Sequence, residues 1–241
     1  MIALFTDFGL ADPYVGQMHA VLADRAPAIP VIDLLHEVPS YSVKAGAYLL
    51  PAFANEFPEN TVFVCVVDPG VGGPRLPVIV KASRRWFVGP DNGLFEMLVR
   101  RDADAETFVI DWRPERLSSS FHGRDLFAPI GAMVATGQFP RSTPATLENG
   151  DAAVWPDDLA EVVFVDHYGN AMTGIRADTV ADNAVITIRG KHVEAARTFS
   201  DVTPGQLFWY ENASGLIEIA MNRASAAQAL SIEPGESFGI T

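Results

Sequence analysis

Two aspartates stand at the ends of apolar runs, and their placement is the first sign of chemistry. Asp7 follows Ile2-Ala-Leu-Phe-Thr6, and Asp68 follows Thr61-Val-Phe-Val-Cys-Val-Val67. Open α/β sheets bind ligands outside the carboxyl ends of their strands, so two such strands would project both carboxylates into one crevice. Taken alone, either residue reads equally well as a turn former, since Asp before Phe-Gly or Pro-Gly is ordinary turn chemistry. Asp68 also opens Asp68-Pro-Gly-Val-Gly-Gly-Pro-Arg75. A glycine-rich loop of this kind lets backbone approach a ligand while holding a carboxylate and a guanidinium near each other; a hairpin stapled by an Asp–Arg pair is the alternative. The loop lacks the Gly-Lys-Ser/Thr ending and the following helix of a phosphate loop. A third dense segment is Phe121-His-Gly-Arg-Asp-Leu-Phe-Ala-Pro129. There His122 precedes Gly123 at the entrance to an expected helix, where free backbone N–H groups can bind an anion or polarise a water. Histidine is also the side chain best suited to moving protons near neutral pH. The histidines and acids show no zinc-site spacing, so no metal is expected. Thr6-Asp-Phe-Gly9 matches the metal-binding triplet of protein kinases, but without their glycine loop, lysine strand or catalytic loop.

The elements that must position these residues alternate in type over the first 140 residues. Ile2 to Phe5, Pro30 to Leu35, Thr61 to Val67, Val78 to Ala82, Trp86 to Val88 and Thr107 to Ile110 read as strands. Tyr14 to Arg25, Ser42 to Phe53, Gly93 to Arg101 and Asp125 to Thr136 read as helices, with Asp12 and Pro13 as cap and first residue of the earliest. Pro129 either kinks the last helix or lies in its first turn. This alternation predicts an α/β domain with a mainly parallel sheet over residues 1–150. The stretch 138–158 holds three prolines and few apolar residues and is read as the domain boundary. Beyond it, closely spaced strands separated by Tyr168-Gly-Asn170, Arg189-Gly190, Pro204-Gly205 and Ser214-Gly215 predict a smaller antiparallel sheet or barrel over residues 159–241.

Composition narrows the class. Nearly half the 241 residues are apolar, and the net charge is −13, from 17 Lys and Arg against 30 Asp and Glu. An acidic chain lacks the basic footprint that nucleic acid or an anionic membrane needs, so neither is an expected partner. The one cysteine, Cys65, lies among apolar neighbours and reads as buried and inert. No stretch approaches the roughly 18 apolar residues of a membrane span. The chain opens on an apolar strand without a basic leader or cleavage site, and a cytoplasmic enzyme is expected.

Taken together, these segments resemble the S-adenosyl-methionine hydroxide adenosyltransferase family, the hydrolase relatives of the fluorinases and chlorinases. The resemblance is carried by Thr6-Asp-Phe-Gly9 with Asp12-Pro-Tyr-Val-Gly-Gln-Met18, Val67-Asp-Pro-Gly-Val-Gly72, Gly89-Pro-Asp-Asn-Gly93 and Phe121 to Pro129. Asp166-His-Tyr-Gly-Asn170 and Asn212-Ala-Ser-Gly-Leu-Ile-Glu-Ile-Ala220 extend it through the second domain. It implies an N-terminal α/β domain, a C-terminal β-barrel-like domain, and a homotrimer with active sites between neighbouring subunits. It further implies Asp68, Arg75 and His122 as a water-activating triad and Asp7 on the ribose hydroxyls, with Asp12 a further substrate contact. Asn170 would read the adenine edge with Tyr168 packing on the ring, while Asp166, Asn212 and Ser214 would lie near the methionine end. The segment from Glu218 through Met221 to Arg223 would wrap the adenine. No cofactor is implied; S-adenosyl-L-methionine is the substrate.

That substrate explains why such residues suffice. A sulfonium departs as a neutral thioether and needs no general acid, so what the reaction lacks is a competent nucleophile. A polar cluster that binds water, takes its proton and stabilises hydroxide answers that lack. Arg75 would stabilise the developing hydroxide, and either His122 or Asp68 would take the proton. The halogenase branch carries an uncharged residue where Asp68 stands, and a carboxylate facing a halide would repel it. A nucleoside-binding protein without turnover and a metal-dependent phosphoesterase using Asp7 and Asp68 are the remaining alternatives.

Overall fold

The computed structural model describes residues 1–148 and 150–241. The backbone divides into two compact units, Met1–Pro51 with Phe57–Val154, and Ala52–Glu56 with Trp155–Thr241.

In the first unit the apolar runs form strands Ile2–Thr6 (β1), Val31–Leu35 (β2), Val62–Val66 (β3), Pro77–Ala82 (β4), Arg85–Pro90 (β5), Glu106–Ile110 (β6) and Ser142–Ala145 (β7). They make one seven-stranded sheet in the order β2-β1-β3-β5-β4-β6-β7. Every residue of β1 and β3 is buried, as expected of central strands covered on both faces. The chain leaves β1 to build β2 on one side and β3 on the other. The carboxyl ends of β1 and β3 therefore flank a point where strand order reverses, the usual ligand crevice of such sheets.

The expectation of a mainly parallel sheet is corrected: the sheet is mixed. β2, β1, β3 and β5 run parallel, but β4 pairs antiparallel with both β5 and β6, and β6 pairs antiparallel with β7. The cause of the first reversal is local. Ser83 and Arg84 take left-handed φ values of 47° and 60°, the two-residue turn geometry that folds a strand straight back on its neighbour. β7 lies inside the proline-rich stretch read as a boundary, where Pro144 is tolerated because the strand is at the sheet edge.

Helices Tyr14–Arg25 (α1), Val43–Ala54 (α2), Glu96–Arg100 (α3) and Ala128–Ala135 (α4) accompany these strands, the last turn of α2 falling in the second unit. Pro13, not Asp12, occupies the cap of α1, and no side chain caps it. A π-helical turn, Gly123–Phe127, leads from His122 into α4, with Pro129 in the first turn of α4. Ile2, Leu4, Val62, Val64, Val88, Phe127 and Ile130 pack one core cluster. Each such side chain contributes about 1.5–3 kcal/mol by leaving water.

The second unit contains strands Leu159–Val165 (β8), Ala171–Arg176 (β9), Ile186–Ile188 (β10), Lys191–Val193 (β11), Leu207–Glu211 (β12), Leu216–Met221 (β13) and Gly239–Ile240 (β14), with a short helix Ala226–Leu230 (α5). They form two antiparallel sheets, β12-β13-β9-β8 and β11-β10-β14. Against the barrel-like expectation, the strands do not make one ladder closed on itself. β10, β11 and β14 are two or three residues long, and the two sets are joined by isolated bridges, Glu161 with Ser237 and Ala195 with Trp209, with the backbone hydrogen bonds around them. Ile186, Ile188, Trp209, Ile217 and Ile219 lie in the core of this unit. Among the described residues, no helix is long and apolar enough to cross a membrane.

Candidate active site

The site begins where β3 ends. Asn92 donates from Nδ2 to the carbonyl of Val67 at 2.9 Å, which fixes the chain one residue before Asp68. The following loop closes on the segment before His122 through Gly72, whose φ is +80° and where a Cβ would lie 2.4 Å from the carbonyl oxygen of Ser119. Only glycine permits both the conformation and that approach.

Three side chains separated widely in sequence then meet. Arg75 donates from Nε to both carboxylate oxygens of Asp68, at 3.0 and 3.1 Å, and from Nη2 to Oδ2 of the same carboxylate. Nη2 also donates to Nδ1 of His122 at 2.7 Å. The Asp68 and Arg75 side chains are only 3% and 10% exposed, so their charges neutralise each other away from solvent. Guanidinium groups only donate, so Nδ1 of His122 accepts, and the hydrogen of the neutral ring sits on Nε2. Burial, and then the positive charge of Arg75, hold His122 below the ordinary imidazole range. Its neutral form is therefore the resting one near pH 7.

Asp7, Asp12, Asp68 and His122 line one cavity of about 550 Å³ in the first unit. Arg75 is not among the lining residues and stands behind Asp68 and His122. The cavity also has an aromatic wall that sequence reasoning missed. The rings of Phe8, Tyr14 and Phe121 lie 5.3 to 5.8 Å apart, and Tyr41 contributes a further edge. Tyr41 holds a left-handed φ of 65°, and its backbone N–H donates to Oδ2 of Asp7 at 2.9 Å. Burial raises the Asp7 carboxyl, the Tyr41 amide offsets part of this, and the nearby charge of Asp68 adds to it.

A second cavity, of about 620 Å³, belongs to the second unit and is lined by Asp166, Tyr168, Asn170, Met221 and Arg223, with Phe199 and Tyr210 unanticipated. The turn from β8 to β9 builds its floor. Asp166 accepts from the backbone N–H of Tyr168 and Asn170 at 2.9 and 2.8 Å, and from Nδ2 of Asn170 at 2.9 Å. Gly169, with φ +84°, passes so close to Ser225 that a Cβ would lie 2.0 Å from its Oγ. Asn212, Ser214 and Glu218 do not line this cavity. Glu218, 2% exposed, accepts from the Tyr210 hydroxyl at 2.6 Å and from Nδ2 of Asn212 at 2.8 Å. Oδ1 of Asn212 accepts from the N–H of Ser214 and Leu216. These three thus form a hydrogen-bonded support behind Tyr210. Burial pushes both the Glu218 carboxyl and the Tyr210 hydroxyl up from their ordinary values. Among the described residues, no group of three or more His, Cys, Asp or Glu side chains is placed to hold a metal ion.

A mixed α/β unit with paired strand-end carboxylates and an Asp–Arg–His cluster at one cavity, followed by an antiparallel unit, defines a two-unit α/β protein with a polar ligand site, and comparison with known proteins gives its family. Residues 2–143 match the SAM hydroxide adenosyltransferase N-terminal domain and residues 160–238 match the SAM hydroxide adenosyltransferase C-terminal domain. The chain belongs to the SAM hydroxide adenosyltransferase family. It is 37% identical to the (R)-S-adenosyl-L-methionine hydrolase of Salinispora arenicola, over 100% of this chain and 97% of that one. A crystal structure of an uncharacterized conserved protein from Thermotoga maritima superposes with a TM-score of 0.86 at 31% identity, covering 100% and 99% of the two chains. The Fluorinase of Actinopolyspora mzabensis is more distant, at 24% identity over 100% of this chain and 97% of that one.

Proposed function

We propose that this chain hydrolyses S-adenosyl-L-methionine to adenosine and L-methionine. The observation that carries the reading is the Arg75 bridge, which holds Asp68 and His122 together at one cavity. A water bound between them attacks C5′ in line with the departing sulfur. The new O–C5′ bond forms as the C5′–S bond breaks, its electron pair stays on sulfur, and methionine leaves as a neutral thioether. The water proton must go to a group with a lone pair. In neutral His122 the Nδ1 lone pair is taken by Arg75, so Asp68 is the acceptor and Nε2–H of His122 is the donor that orients the water oxygen. Arg75 acts through both as a positioning residue. Net charge falls on the organic partners as attack proceeds, because a cation becomes two neutral products and a proton reaches solvent through Asp68.

Asp7 is read as the ribose ligand and Asp12 as a further substrate contact. Asn170 reads the adenine edge with Tyr168 on the ring, and Met221 and Arg223 complete the wrap. Asp166 is read toward the methionine end with Asn212 and Ser214 behind it, and Glu218 is read as backing the adenine wrap through Tyr210. The two cavities belong to different units, and we read the working site as the first cavity of one subunit completed by the second cavity of a neighbour in a homotrimer. The antiparallel unit is read as barrel-like, its two sheets joined through the isolated bridges, and as the support for the 166–170 turn. We read the enzyme as cytoplasmic and free of metal and cofactor. Asp68 opposes a bound halide, which favours water as nucleophile over chloride or fluoride. The test is incubation of purified protein with S-adenosyl-L-methionine, with and without EDTA. Adenosine and methionine in equal amounts are expected in both arms; activity abolished by EDTA and restored by a divalent metal refutes the reading.

A further inference from the structure

Below the Asp7 turn lies a polar chain that the mechanism does not use. Asp33, two residues before the end of β2, has one carboxylate oxygen shared by two imidazoles: Nε2 of His19 on α1 at 2.7 Å and Nε2 of His36 at 3.0 Å. An ionised carboxylate only accepts, so both rings donate to it. These bonds outweigh the effect of burial and hold Asp33 below the ordinary carboxylate range. His36 is 3% exposed and Thr6 is fully buried. Nδ1 of His36 lies 2.8 Å from the Thr6 hydroxyl, and that hydroxyl oxygen accepts from the backbone N–H of Phe8 at 3.2 Å. With His36 neutral, every member is satisfied in one direction: Phe8 N–H to Thr6 Oγ1, Thr6 O–H to His36 Nδ1, and His36 Nε2–H to Asp33. The backbone repeats the link, since Gly9 N–H donates to the His36 carbonyl at 2.7 Å and Val38 N–H to that of Thr6 at 3.2 Å.

The consequence is confined to one turn. Asp7, Phe8 and Gly9 all line the first cavity; Asp7 and Phe8 fall between the two points at which His36 grips the chain, Thr6 and Gly9. We propose that His36, oriented by Asp33 and His19, is a positioning residue that fixes the Asp7 turn and thereby sets substrate affinity. The proposal rests on the reading of Asp7 as the ribose ligand. A carboxylate must be held in place to bind a diol through both oxygens; beyond the long bond from Asp7 N–H to the Val66 carbonyl at 3.4 Å and the Tyr41 N–H on the carboxylate itself, the turn depends on its side-chain partners. His36 supplies a further hold on Thr6 and Gly9 from just past the end of β2, which is why it acts on binding and leaves the Asp68–Arg75–His122 bridge untouched.

The test compares His36→Leu, His36→Asn and Thr6→Val. Leucine removes the acceptor of the Thr6 hydroxyl; asparagine places a carbonyl oxygen near the position of Nδ1. Thr6→Val removes the hydroxyl itself with little change of volume and serves if His36→Leu does not fold. His36→Leu or Thr6→Val should raise KM about 10-fold while kcat changes less than about 3-fold, the scale of losing one buried hydrogen bond that orients a ligand. His36→Asn should restore KM to within about 3-fold of the parent. Amide hydrogen exchange, read without any substrate, should be faster at Phe8 and Gly9 in His36→Leu and near normal in His36→Asn. Unchanged exchange at Phe8 in both His36→Leu and Thr6→Val overturns the clamp. So does a fall in kcat at constant KM, or asparagine failing to rescue in a folded protein. If the parent protein turns over no S-adenosyl-L-methionine, the reading of the site fails, and the exchange measurement still decides the clamp.

Discussion

Replacing Arg75 by lysine separates charge from geometry at the bridge. The substitution keeps the positive charge beside Asp68, and one ammonium can sit where Nη2 lies, between the carboxylate and Nδ1 of His122. What it cannot reproduce is the second arm of the fork, the Nε donation to both oxygens of Asp68 at 3.0 and 3.1 Å. A hydrogen bond to a charged group contributes about 1.5–3 kcal/mol, so Arg75→Lys should lower kcat by about 10- to 100-fold at 1.36 kcal/mol per factor of ten. Arg75→Ala removes every arm and leaves a carboxylate that is 3% exposed without its counter-ion. That should cost about 3–5 kcal/mol of stability and at least about 100-fold in kcat. KM should stay within about 3-fold in both, because Arg75 does not line the cavity. Steady-state release of adenosine, followed by chromatography, measures the rates, and urea unfolding measures the stability. NMR titration of His122 adds an independent reading: losing the Arg75 charge, which presses its pKa down, should move it upward in Arg75→Ala. Parental kcat in Arg75→Lys, or a loss in Arg75→Ala that falls on KM instead of kcat, refutes the bridge as the positioning device.

Three further outcomes are expected. In ¹⁸O-labelled water, label should enter the 5′-hydroxyl of adenosine and not methionine, and added chloride or fluoride should yield little 5′-halo product; mass spectrometry showing unlabelled adenosine would sink the water mechanism. His122 has a folded pKa below its ordinary 6.5, so protons bind the unfolded chain more readily. Its contribution to stability is then complete above pH 6.5 and lost as pH falls from 6.5 toward the depressed value. The protonated ring also cannot accept from Arg75, so kcat should fall along the same limb. Denaturation midpoints and rates from pH 5 to 8, compared with His122→Gln, check both, and an identical pH dependence in the variant contradicts the assignment. Finally, Asp7→Ala and Asn170→Ala should each be inactive alone, yet mixed and reassembled they should regain about a quarter of the parental rate, the share of sites holding one intact half from each neighbour. No recovery in verified mixed oligomers argues against a shared site.

Much of this site was legible in the sequence because its two main anchors obey one rule. The apolar runs before Asp7 and Asp68 become buried strands β1 and β3, and ligand crevices open at such carboxyl ends. The flanks of the glycine loop likewise foretold a carboxylate beside a guanidinium. His122 was legible as a residue type but not in its setting. The expected helix entrance is there, as His122 leads into a π-helical turn, but its bond to Arg75 was not foreseen, because no local pattern encodes a contact across 47 positions. The mixed sheet was hidden for a similar reason, since Ser83-Arg84 carries no glycine to advertise its left-handed turn. Asn92, Tyr41 and His36 act through neighbours brought close only by the sheet. The dense motif Gly89-Pro-Asp-Asn-Gly93 was the one available signal for Asn92.

The buried placement of Arg75 also limits how this protein could change its chemistry over evolutionary time. Exchanging Asp68 for a neutral residue, the step that would admit a halide, strands a guanidinium only 10% exposed beside an already crowded imidazole. That intermediate pays for an uncompensated interior charge before any new activity appears. Loss of Arg75 first strands the carboxylate instead. The two positions are therefore coupled in stability, and on the proposed reading of the site a change from water to halide as nucleophile calls for substitution of both together.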